Sequence, residues 1–466
     1  MSLALHIESK ACRRLPACLV ALVCALALSL PGAAWADVRT SDLIAGQTVQ
    51  DAGIPSSQCP SIAGDYAIVM DSDGNVYFER DADAQVHIAS ITKVMTAVVA
   101  LDSVPLDTQV TISHYAASIG ESTASLKEGD TMPLSEALKA LLWPSGNDAA
   151  EAIAETVGAI MLKSEGQDSS DTTACAARFV QAMNDKASEL GMTNTVYANP
   201  HGLDDAAKYP GEMHSTARDV ATLVAYAAQK SAITDITGTD GGTCTVTRSG
   251  QTTELKLEST DQLLGSYEGA FGIKTGFTDS AGECFAGAVN KNGVTLYSVV
   301  LHSSSEKSRF TDTSTLWDWV YNHRIDYALA QTDQTTTDEN GNEVPLVAEV
   351  SDGAWTDKTV NATLADPSAT VNVFDLHGNI SQSVEYRDLS GTVNAGDVVG
   401  TITYYQHNEV VATQDLVATE TVQGPGVLDT IGIWWTRLTA GITGAQTEAQ
   451  SELYNETPLI NDRTQA

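Results

Sequence analysis

Short apolar runs separated by turn residues open the predicted folded region. Residues 66–70 and 76–78 are apolar, and the segment 71–75 between them consists of Asp, Ser, Gly and Asn. This alternation predicts two strands joined by a tight turn. Residues 91–101 are then apolar and free of Gly and Pro, which predicts a buried helix that begins just after Ser90.

The middle of the chain is predicted to be helical, and strands return after residue 243. The predicted helices cover residues 134–142, 148–157, 179–190 and 217–228. Strands are predicted at 269–275, 283–289 and 295–301, before a closing helix at 316–321. Strands at both ends of a helical middle indicate an α+β core whose sheet uses both ends of this region.

The composition changes near residue 330. A polar stretch at 332–343 precedes short β-type runs that alternate with turns over 344–422, which predicts a small all-β domain. Within 427–442, apolar residues recur at helical spacing in a segment too short to span a bilayer. Two predictions stay open for it: the helix lies in a membrane interface, or it packs on the β domain. Residues 444–466 are polar and are predicted to be disordered.

The first 36 residues have the features of a secretory signal. Lys10, Arg13 and Arg14 precede an apolar run at 15–30, and Ala34-Trp35-Ala36 matches a cleavage site. We therefore expect cleavage near Ala36 and export to the outer face of the cell membrane or the cell wall. The alternative is an uncleaved anchor, although the apolar run is short for a full span.

Charge and cysteine content narrow the classes of function. The net charge is −35, from 60 acidic and 25 basic residues, which disfavours a nucleic-acid partner. Four cysteines follow the signal, and their spacing fits no zinc site: Cys59, Cys175, Cys244 and Cys284. They could form disulfides, with Cys244–Cys284 as first choice, or remain four buried thiols.

The first candidate motif is Ser90-Ile91-Thr92-Lys93 at the start of the buried helix. Residues three apart on a helix are neighbours, so the hydroxyl and the amine can meet. A serine is a poor nucleophile until a base removes its proton, and a lysine can be that base where its pKa is lowered. Ser304-Ser305-Glu306-Lys307 also fits this pattern, but it is predicted to lie in a polar loop.

Two further motifs lie at predicted element ends. In Ser145-Gly146-Asn147, between two helices, Ser145 can relay a proton and Asn147 can bind a substrate amide or orient the lysine. In Lys274-Thr275-Gly276, on a predicted edge strand, the cation and hydroxyl can hold a carboxylate while the strand pairs with an extended peptide. Gly276 lets a ligand approach closely. Taken singly, each could be an ordinary cap or turn.

In this order and context, the three motifs resemble those of the penicillin-recognising serine enzymes, the penicillin-binding proteins and serine β-lactamases. The surroundings narrow the resemblance to the low-molecular-mass D-alanyl-D-alanine carboxypeptidases. The segments that carry it are 142–150, 199–204, 214–219, 272–278 and 281–282, together with Arg309. The resemblance is strong over 57–326 and weaker over 344–422, and a terminal amphipathic anchor helix is typical of that family.

The resemblance implies a fold and a division of the chain. We expect a β-lactamase/transpeptidase-like catalytic domain, an antiparallel sheet with helices on both faces, followed by a small all-β domain and an amphipathic helix. The predicted segments are a signal peptide (1–36), a lead-in (37–56), the catalytic domain (57–328), a linker (329–343), the β domain (344–423), the helix (425–443) and the tail (444–466).

The resemblance also implies a serine-type D-Ala-D-Ala carboxypeptidase that acts on peptidoglycan stem peptides, binds β-lactams and needs no metal or organic cofactor. The predicted catalytic residues are Ser90, Lys93, Ser145 and Asn147, the predicted substrate-binding residues are Lys274, Thr275, Gly276 and Arg309, and the backbone N–H groups of Ser90 and Phe277 are the predicted oxyanion hole. His201 and His214 are predicted to lie in structural loops and Arg218 to brace one.

Three alternatives use the same residues differently. A β-lactamase would share the acylation step but deacylate quickly, and no glutamate suited to that step is evident between Asn147 and Lys274. A DD-endopeptidase would cut cross-links with the same site. A catalytically inactive envelope-binding module is the alternative from another class of protein.

Overall fold

The structure is a computed structural model, and it describes residues 36–204, 208–444 and 447–461. Apart from Ala36, the predicted signal peptide lies outside the described residues. The α-helices are α1 (Val49–Ala52), α2 (Thr92–Ser103), α3 (His114–Ser118), α4 (Leu134–Leu142), α5 (Asn147–Ser164), α6 (Thr172–Glu189), α7 (Ala217–Ala227), α8 (Ser231–Thr237), α9 (Glu306–His323) and α10 (Val427–Thr443).

The strands of the catalytic region are β1 (Leu43–Ile44), β2 (Gln47–Thr48), β3 (Tyr66–Asp71), β4 (Val76–Arg80), β5 (Gln109–Thr111), β6 (Thr131–Pro133), β7 (Gly241–Arg248), β8 (Gln251–Glu258), β9 (Ala270–Thr278), β10 (Gly282–Lys291) and β11 (Val294–Ser303). Those that follow are β12 (Arg324–Ala328), β13 (Thr335–Thr337), β14 (Glu343–Pro345), β15 (Ala348–Ser351), β16 (Thr359–Leu364), β17 (Thr370–Phe374), β18 (Ile380–Tyr386), β19 (Val398–Gln406), β20 (Glu409–Ala418) and β21 (Glu452–Leu453).

A seven-stranded antiparallel sheet organises the catalytic region, in the order β2-β1-β4-β3-β11-β10-β9. Early and late strands meet where β3 pairs with β11, so the sheet does use both ends of this region. The order ends at β9, which carries the Lys274-Thr275-Gly276 motif on an edge of the sheet. A separate four-stranded sheet, β5-β6-β7-β8, lies beside the helical part.

Both faces of the large sheet are covered, because its strands alternate their side chains between two cores. Ile68 and Val299 point into a core formed with the helical middle of the chain, including α2, α5 and α7. Val69 and Val300 point into a second core, which contains Trp317 of α9. Helices on both faces of an antiparallel sheet give the expected α+β architecture.

The region after α9 forms a third core around a six-stranded antiparallel sheet, β18-β19-β20-β16-β15-β21. It joins the catalytic region at the end of α9, where β12 pairs with β17. The Tyr77 and Trp319 rings of the catalytic region meet Phe374 edge-on, and His323 Nδ1 lies 2.8 Å from Asp375 Oδ1. This part of the chain is the expected small all-β unit.

Helix α10 lies on the surface with its apolar stripe uncovered. Trp434 and Trp435 are each 61% exposed, whereas the opposite side of the helix contacts the β unit through Arg437, whose Nη2 donates to Gly353 O at 2.7 Å. The helix therefore contacts the β domain, as one of the two predictions has it, but through a side other than the apolar stripe, which is exposed. No helix in the described part of the chain is long and apolar enough to cross a membrane.

The structure differs from the prediction that the tail is disordered. Residues 452–453 add strand β21 to β15. Asn455 is buried and donates to Leu329 O (3.0 Å) and Gln382 Oε1 (2.8 Å). Polar composition suggested disorder, but hydrogen bonds fix this tail, and Leu453 and Ile460 pack against the core of the β unit.

Two predicted bounds differ from the structure, each for its own physical reason. Helix α9 begins at Glu306 rather than Leu316, because the Ser305 side chain caps it by accepting from Ser308 N. The second Ser-x-x-Lys copy is therefore the start of a helix and not a loop. The predicted lead-in also contributes to the fold, since Ile44, Val49 and Ile54 are buried in the second core.

Candidate active site

Ser90 lies in a 3₁₀ turn, Ala89–Ile91, immediately before α2. This turn leads into the first turn of the helix, where Lys93 is fully buried. The Lys93 Nζ donates to Ser90 Oγ at 2.7 Å. The predicted pairing of hydroxyl and amine is therefore present, with the hydroxyl on the cleft and the amine behind it.

The surroundings of Lys93 favour a neutral amine. Burial is the main cause that holds its pKa well below the usual lysine value, and the nearby Lys274 charge lowers it further. The carboxylates of Asp148 and Glu121 oppose this shift. A lysine without its proton can act as a base toward the serine beside it.

A buried loop fixes the position of the lysine. Lys93 Nζ donates to the backbone carbonyl of His201 at 2.8 Å, and Asn199 Oδ1 accepts from the N–H groups of His201 and Gly202. Gly202 has a φ of +89°, and an added Cβ would lie 1.9 Å from Ala89 O in the serine turn. The loop thus contacts both partners of the Ser90–Lys93 pair.

His201 itself is neutral in this environment. Its side chain is buried, and burial together with the charge of Lys93 lowers its pKa to about 3. The ring contacts Tyr209 edge-on. His201 therefore contributes its backbone carbonyl to the site, as a structural loop residue rather than a proton carrier.

The Ser145-Gly146-Asn147 motif connects α4 to the first residue of α5. Two of its side-chain oxygen atoms are buried. Ser145 Oγ and Asn147 Oδ1 are buried without a hydrogen-bond partner among the described residues. The rest of Asn147 holds the neighbouring loop: its Nδ2 donates to Gly120 O (2.9 Å) and its backbone N–H to Ser122 O (2.8 Å). Ser145 lines the cleft.

Strand β9 packs against the serine turn and forms another wall of the cleft. An added Cβ at Gly276 would lie 2.8 Å from Ile88 O and 3.2 Å from Ser90 N, so this strand and the turn are in close contact. Thr275 Oγ1 hydrogen-bonds Thr260 Oγ1 at 2.6 Å. Burial, and secondarily the Arg309 charge, lower the pKa of Lys274 to about 7.

Arg309 reaches β9 from the first turns of α9. Its Nη1 donates to Gly276 O (3.0 Å) and contacts Glu283 Oε2 on β10 (2.5 Å). Glu283 therefore holds the guanidinium beside the Lys274-Thr275-Gly276 motif. The structure brings all the predicted site residues into one region, around a cleft of about 610 Å³ that Ser90, Ser145, Thr275, Gly276, Phe277 and Arg309 line.

Sequence reasoning missed several residues that complete the site. Asp261 lies near Lys274 and Arg309 in electrostatic range, and burial raises its pKa to about 6. Glu283 holds Arg309, and Glu121 lines the cleft beside Ser122. No predicted element marked Asp261, and the fold alone shows that Glu283 pairs with Phe277 across the β9–β10 hairpin.

Other chemically suggestive residues have structural contacts. Arg218 pairs with Asp83 and Glu79, as its predicted bracing role requires. All four described cysteines are free thiols. In the described part of the chain, no group of three or more His, Cys, Asp or Glu side chains is arranged to hold a metal ion.

The fold and the cleft define an active-site serine enzyme of the penicillin-recognising class. A family described as D-alanyl-D-alanine carboxypeptidase matches residues 54–305, and a penicillin-binding protein 5 C-terminal domain matches residues 334–424. The chain belongs to this D-alanyl-D-alanine carboxypeptidase family, and it is a serine-type D-Ala-D-Ala carboxypeptidase. Enzymes of this family act on the D-Ala-D-Ala peptides of peptidoglycan and bind β-lactams.

Individual relatives agree with this assignment. The D-alanyl-D-alanine carboxypeptidase DacF of Bacillus subtilis is 27% identical over 380 residues, which cover 79% of this chain and 89% of the relative. A D-alanyl-D-alanine endopeptidase of Pseudomonas aeruginosa is 32% identical over 277 residues, 58% of this chain and 80% of its own. A mutant of the Streptomyces K15 DD-transpeptidase superposes with a TM-score of 0.52 at 29% identity, covering 57% of this chain and all of that structure.

Proposed function

We propose that this carboxypeptidase works by acyl transfer through Ser90, with Lys93 as its base. The observation that carries the proposal is the 2.7 Å contact between Lys93 Nζ and Ser90 Oγ, made by an amine whose burial lowers its pKa. Lys93 takes the Ser90 proton as Oγ attacks the penultimate carbonyl of a stem peptide that ends in D-Ala-D-Ala. The backbone N–H groups of Ser90 and Phe277 bind the oxyanion that develops.

The terminal carboxylate of the substrate binds at the opposite end of the cleft. Thr275 and Arg309 line the cleft there, and the buried Lys274 lies behind them with its Nζ donating to Thr275 O (3.0 Å). Charge-assisted hydrogen bonds from such cations to a carboxylate are the strong ones. Gly276 lets β9 pack closely against the turn that carries Ser90, so a peptide that pairs with this edge strand would lie beside the nucleophile. The substrate is therefore held by its free terminus.

Breakdown of the tetrahedral intermediate needs a proton on the departing amine. Ser145 Oγ has no partner among the described residues and lines the cleft, so it can pass the proton from Lys93 to the leaving D-alanine. Asn147 holds the 120–122 loop and presents its free Oδ1 to the substrate amide. Water then hydrolyses the ester on Ser90, and a β-lactam acylates the same oxygen.

The test is Ser90→Ala. The variant is expected to lose labelling by fluorescent penicillin and release of D-alanine from a stem pentapeptide. Ser304→Ala, in the second Ser-x-x-Lys sequence, is the matched control and should retain both. Labelling that persists in Ser90→Ala would mean that the nucleophile is elsewhere.

For the location of the enzyme, we propose export by the cleaved signal and contact with a membrane surface through residues 427–442. The exposed apolar stripe of α10, with Trp434 and Trp435 on it, supports this contact. Such a contact would keep the catalytic cleft close to the cell wall that it acts on.

A further inference from the structure

The cleft has a second, smaller extension that the mechanism above does not use. A cavity of about 290 Å³ shares Glu121 and Phe277 with the catalytic cleft but includes neither Thr275 nor Arg309. Its other walls include Leu203, Asp204 and Asp279. It therefore lies beyond Phe277, on the side away from the carboxylate-binding groups.

The proposed binding mode fixes what reaches this cavity. The terminal carboxylate sits at Lys274 and Thr275, and the reacting carbonyl sits one residue further along, at the N–H of Phe277. A peptide laid along β9 in this direction must continue past Phe277 toward Thr278 and Asp279. The next residue of the stem, the third from its amino end, is then the one whose side chain faces the cavity.

Glu121 is the charged one of the two wall residues that both cavities share, and no described side chain pairs with its carboxylate. It makes no hydrogen bond or ion pair shorter than 4 Å with another described residue, and its side chain is exposed on the cleft. Its backbone is nevertheless fixed, because Asn147 donates to the carbonyls of Gly120 and Ser122 on either side of it. The charge is thus held in place without being neutralised.

The remaining walls fit a cationic side chain with an apolar stem. Phe277 is 55% exposed, so its ring offers an apolar face to a ligand in this cavity. Asp279 is exposed as well, and among the described residues Asp204 accepts a long hydrogen bond from Ser280 N (3.3 Å) and lies 3.4 Å from His87. Methylene groups can pack on Phe277 while an ammonium approaches Glu121.

We propose that Glu121 is a specificity determinant, which favours stem peptides whose third residue carries a free side-chain ammonium. The inference rests on the proposed function, since it needs the peptide direction given above. It names the substrate class as uncross-linked stems with a free amine at that residue. Cross-linking through this amine would turn the ammonium into a neutral amide and remove the attraction.

The experiment compares two pentapeptides, L-Ala-γ-D-Glu-L-Lys-D-Ala-D-Ala and the same peptide with norleucine in place of lysine. Norleucine keeps most of the side-chain length but has no charge. D-Alanine release gives kcat/KM for each. The wild type is expected to prefer the lysine peptide by about fivefold at low salt, the upper range for a solvent-exposed ion pair, and less at about 0.5 M salt because the charges are screened.

Glu121→Gln is expected to remove most of this preference. The ratio of the two peptides is the readout, because the Glu121 charge also raises the pKa of Lys93 and its loss would change both rates together. Glu128→Gln is the control: it removes the same charge from the same segment, at an exposed position that contacts His114 instead of the cleft. This control should keep the wild-type ratio.

Two results would overturn the inference alone: equal rates for the two peptides in the wild type, or an unchanged ratio in Glu121→Gln. Failure of the wild type to release D-alanine from either peptide would instead overturn the proposed function. The two failures are therefore distinguishable in one set of measurements.

Discussion

The proposed mechanism gives the two buried lysines beside the cleft opposite tasks. In it Lys93 loses its proton to act as a base, and burial beside Lys274 lowers the pKa of Lys93 in the direction that favours this. In the same mechanism Lys274 keeps its proton to hold a carboxylate, and the Asp261 charge opposes the lowering of the Lys274 pKa that burial and Arg309 impose. The proposal thus assigns one residue type to both a base and an anion-binding group.

This contrast predicts the pH dependence of kcat/KM, which reports the free enzyme. Activity should rise with pH as Lys93 becomes neutral, and should fall as pH increases through about 7, where Lys274 loses its proton. Lys274→Gln should lower kcat/KM by about 10- to 100-fold at pH 6, the loss of one charge-assisted hydrogen bond, and should lack the alkaline fall. The measurement is D-alanine release between pH 5 and 9.

Lys163→Gln, at an exposed position near the end of α5, is the control for loss of a positive charge and should keep the wild-type profile. An alkaline fall that persists unchanged in Lys274→Gln would assign it to another group.

A second residue-scale prediction concerns Gly202. Its φ of +89° disfavours any side chain, and an added Cβ would collide with Ala89 O in the turn that carries Ser90. Gly202→Ala should therefore displace the nucleophile and slow acylation by about 100-fold, the effect expected of a misplacement near 1 Å. The rate of labelling by fluorescent penicillin measures this directly.

Gly250→Ala is the control that distinguishes a steric collision from backbone strain. Gly250 has a φ of +78° but open space around its Cα, so alanine there has the strain without the contact. Its acylation rate should match the wild type. Equal slowing in both variants would show that strain, and not the contact with Ala89, matters at Gly202.

At the scale of elements, the start of α5 organises the loop that forms one wall of the cleft. Asp148 is fully buried and accepts hydrogen bonds from Ala124 N (3.0 Å), Leu126 N (3.0 Å) and Thr123 Oγ1 (2.5 Å). Its position in the first turn of α5 also suits the positive end of the helix dipole. The loop 120–126 is thus tied to this helix by both Asn147 and Asp148.

Asp148→Asn is predicted to destabilise the fold by about 2–4 kcal/mol, because its amide would place a donor against other donors in a buried site. Thermal unfolding should report this loss, and penicillin acylation should slow because the wall is less ordered. Asp107→Asn, at an exposed position, is expected to change stability by less than about 0.5 kcal/mol. Equal stability of the two variants would contradict this account.

The sequence predicted elements well where periodicity was strong and less well where caps decided the bounds. Helix α4 was predicted at its observed bounds, since apolar spacing and Pro144 define both ends. Helix α9 was predicted ten residues too short at its start, because its first turns carry polar residues and a serine cap. The three motifs located the cleft, but Asp261, Glu283 and Glu121 act through tertiary neighbours that no local pattern encodes.

At the scale of the whole molecule, α10 is a surface helix held at both ends by the β unit. Before α10, Val422 pairs with Val393 of the β unit. After α10, strand β21 pairs with β15 of the same unit. Arg437 fixes its inner side to Gly353. The apolar stripe therefore has a fixed direction relative to the β unit: Val427, Leu428, Ile431, Trp434, Trp435, Leu438 and Ile442.

This arrangement predicts that the protein binds lipid vesicles and that the charge of the lipid determines how strongly it binds. Apolar burial of the stripe favours the interface, while a net charge of −35 opposes anionic lipid. The protein should therefore cosediment better with zwitterionic vesicles than with vesicles containing anionic lipid. Replacing both Trp434 and Trp435 by serine should weaken binding by at least about tenfold, since burial of one large apolar side chain contributes about 1.5–3 kcal/mol.

Val410→Ser is the control, because Val410 is also an exposed apolar residue of the β unit but lies on β20 rather than on the helix. Its vesicle binding should equal that of the wild type, and D-alanine release from a soluble peptide should be unchanged in it. Equal cosedimentation of the double tryptophan variant and the wild type would exclude the stripe as the lipid-binding surface. The exposed stripe would then be available to bind a protein partner instead of lipid.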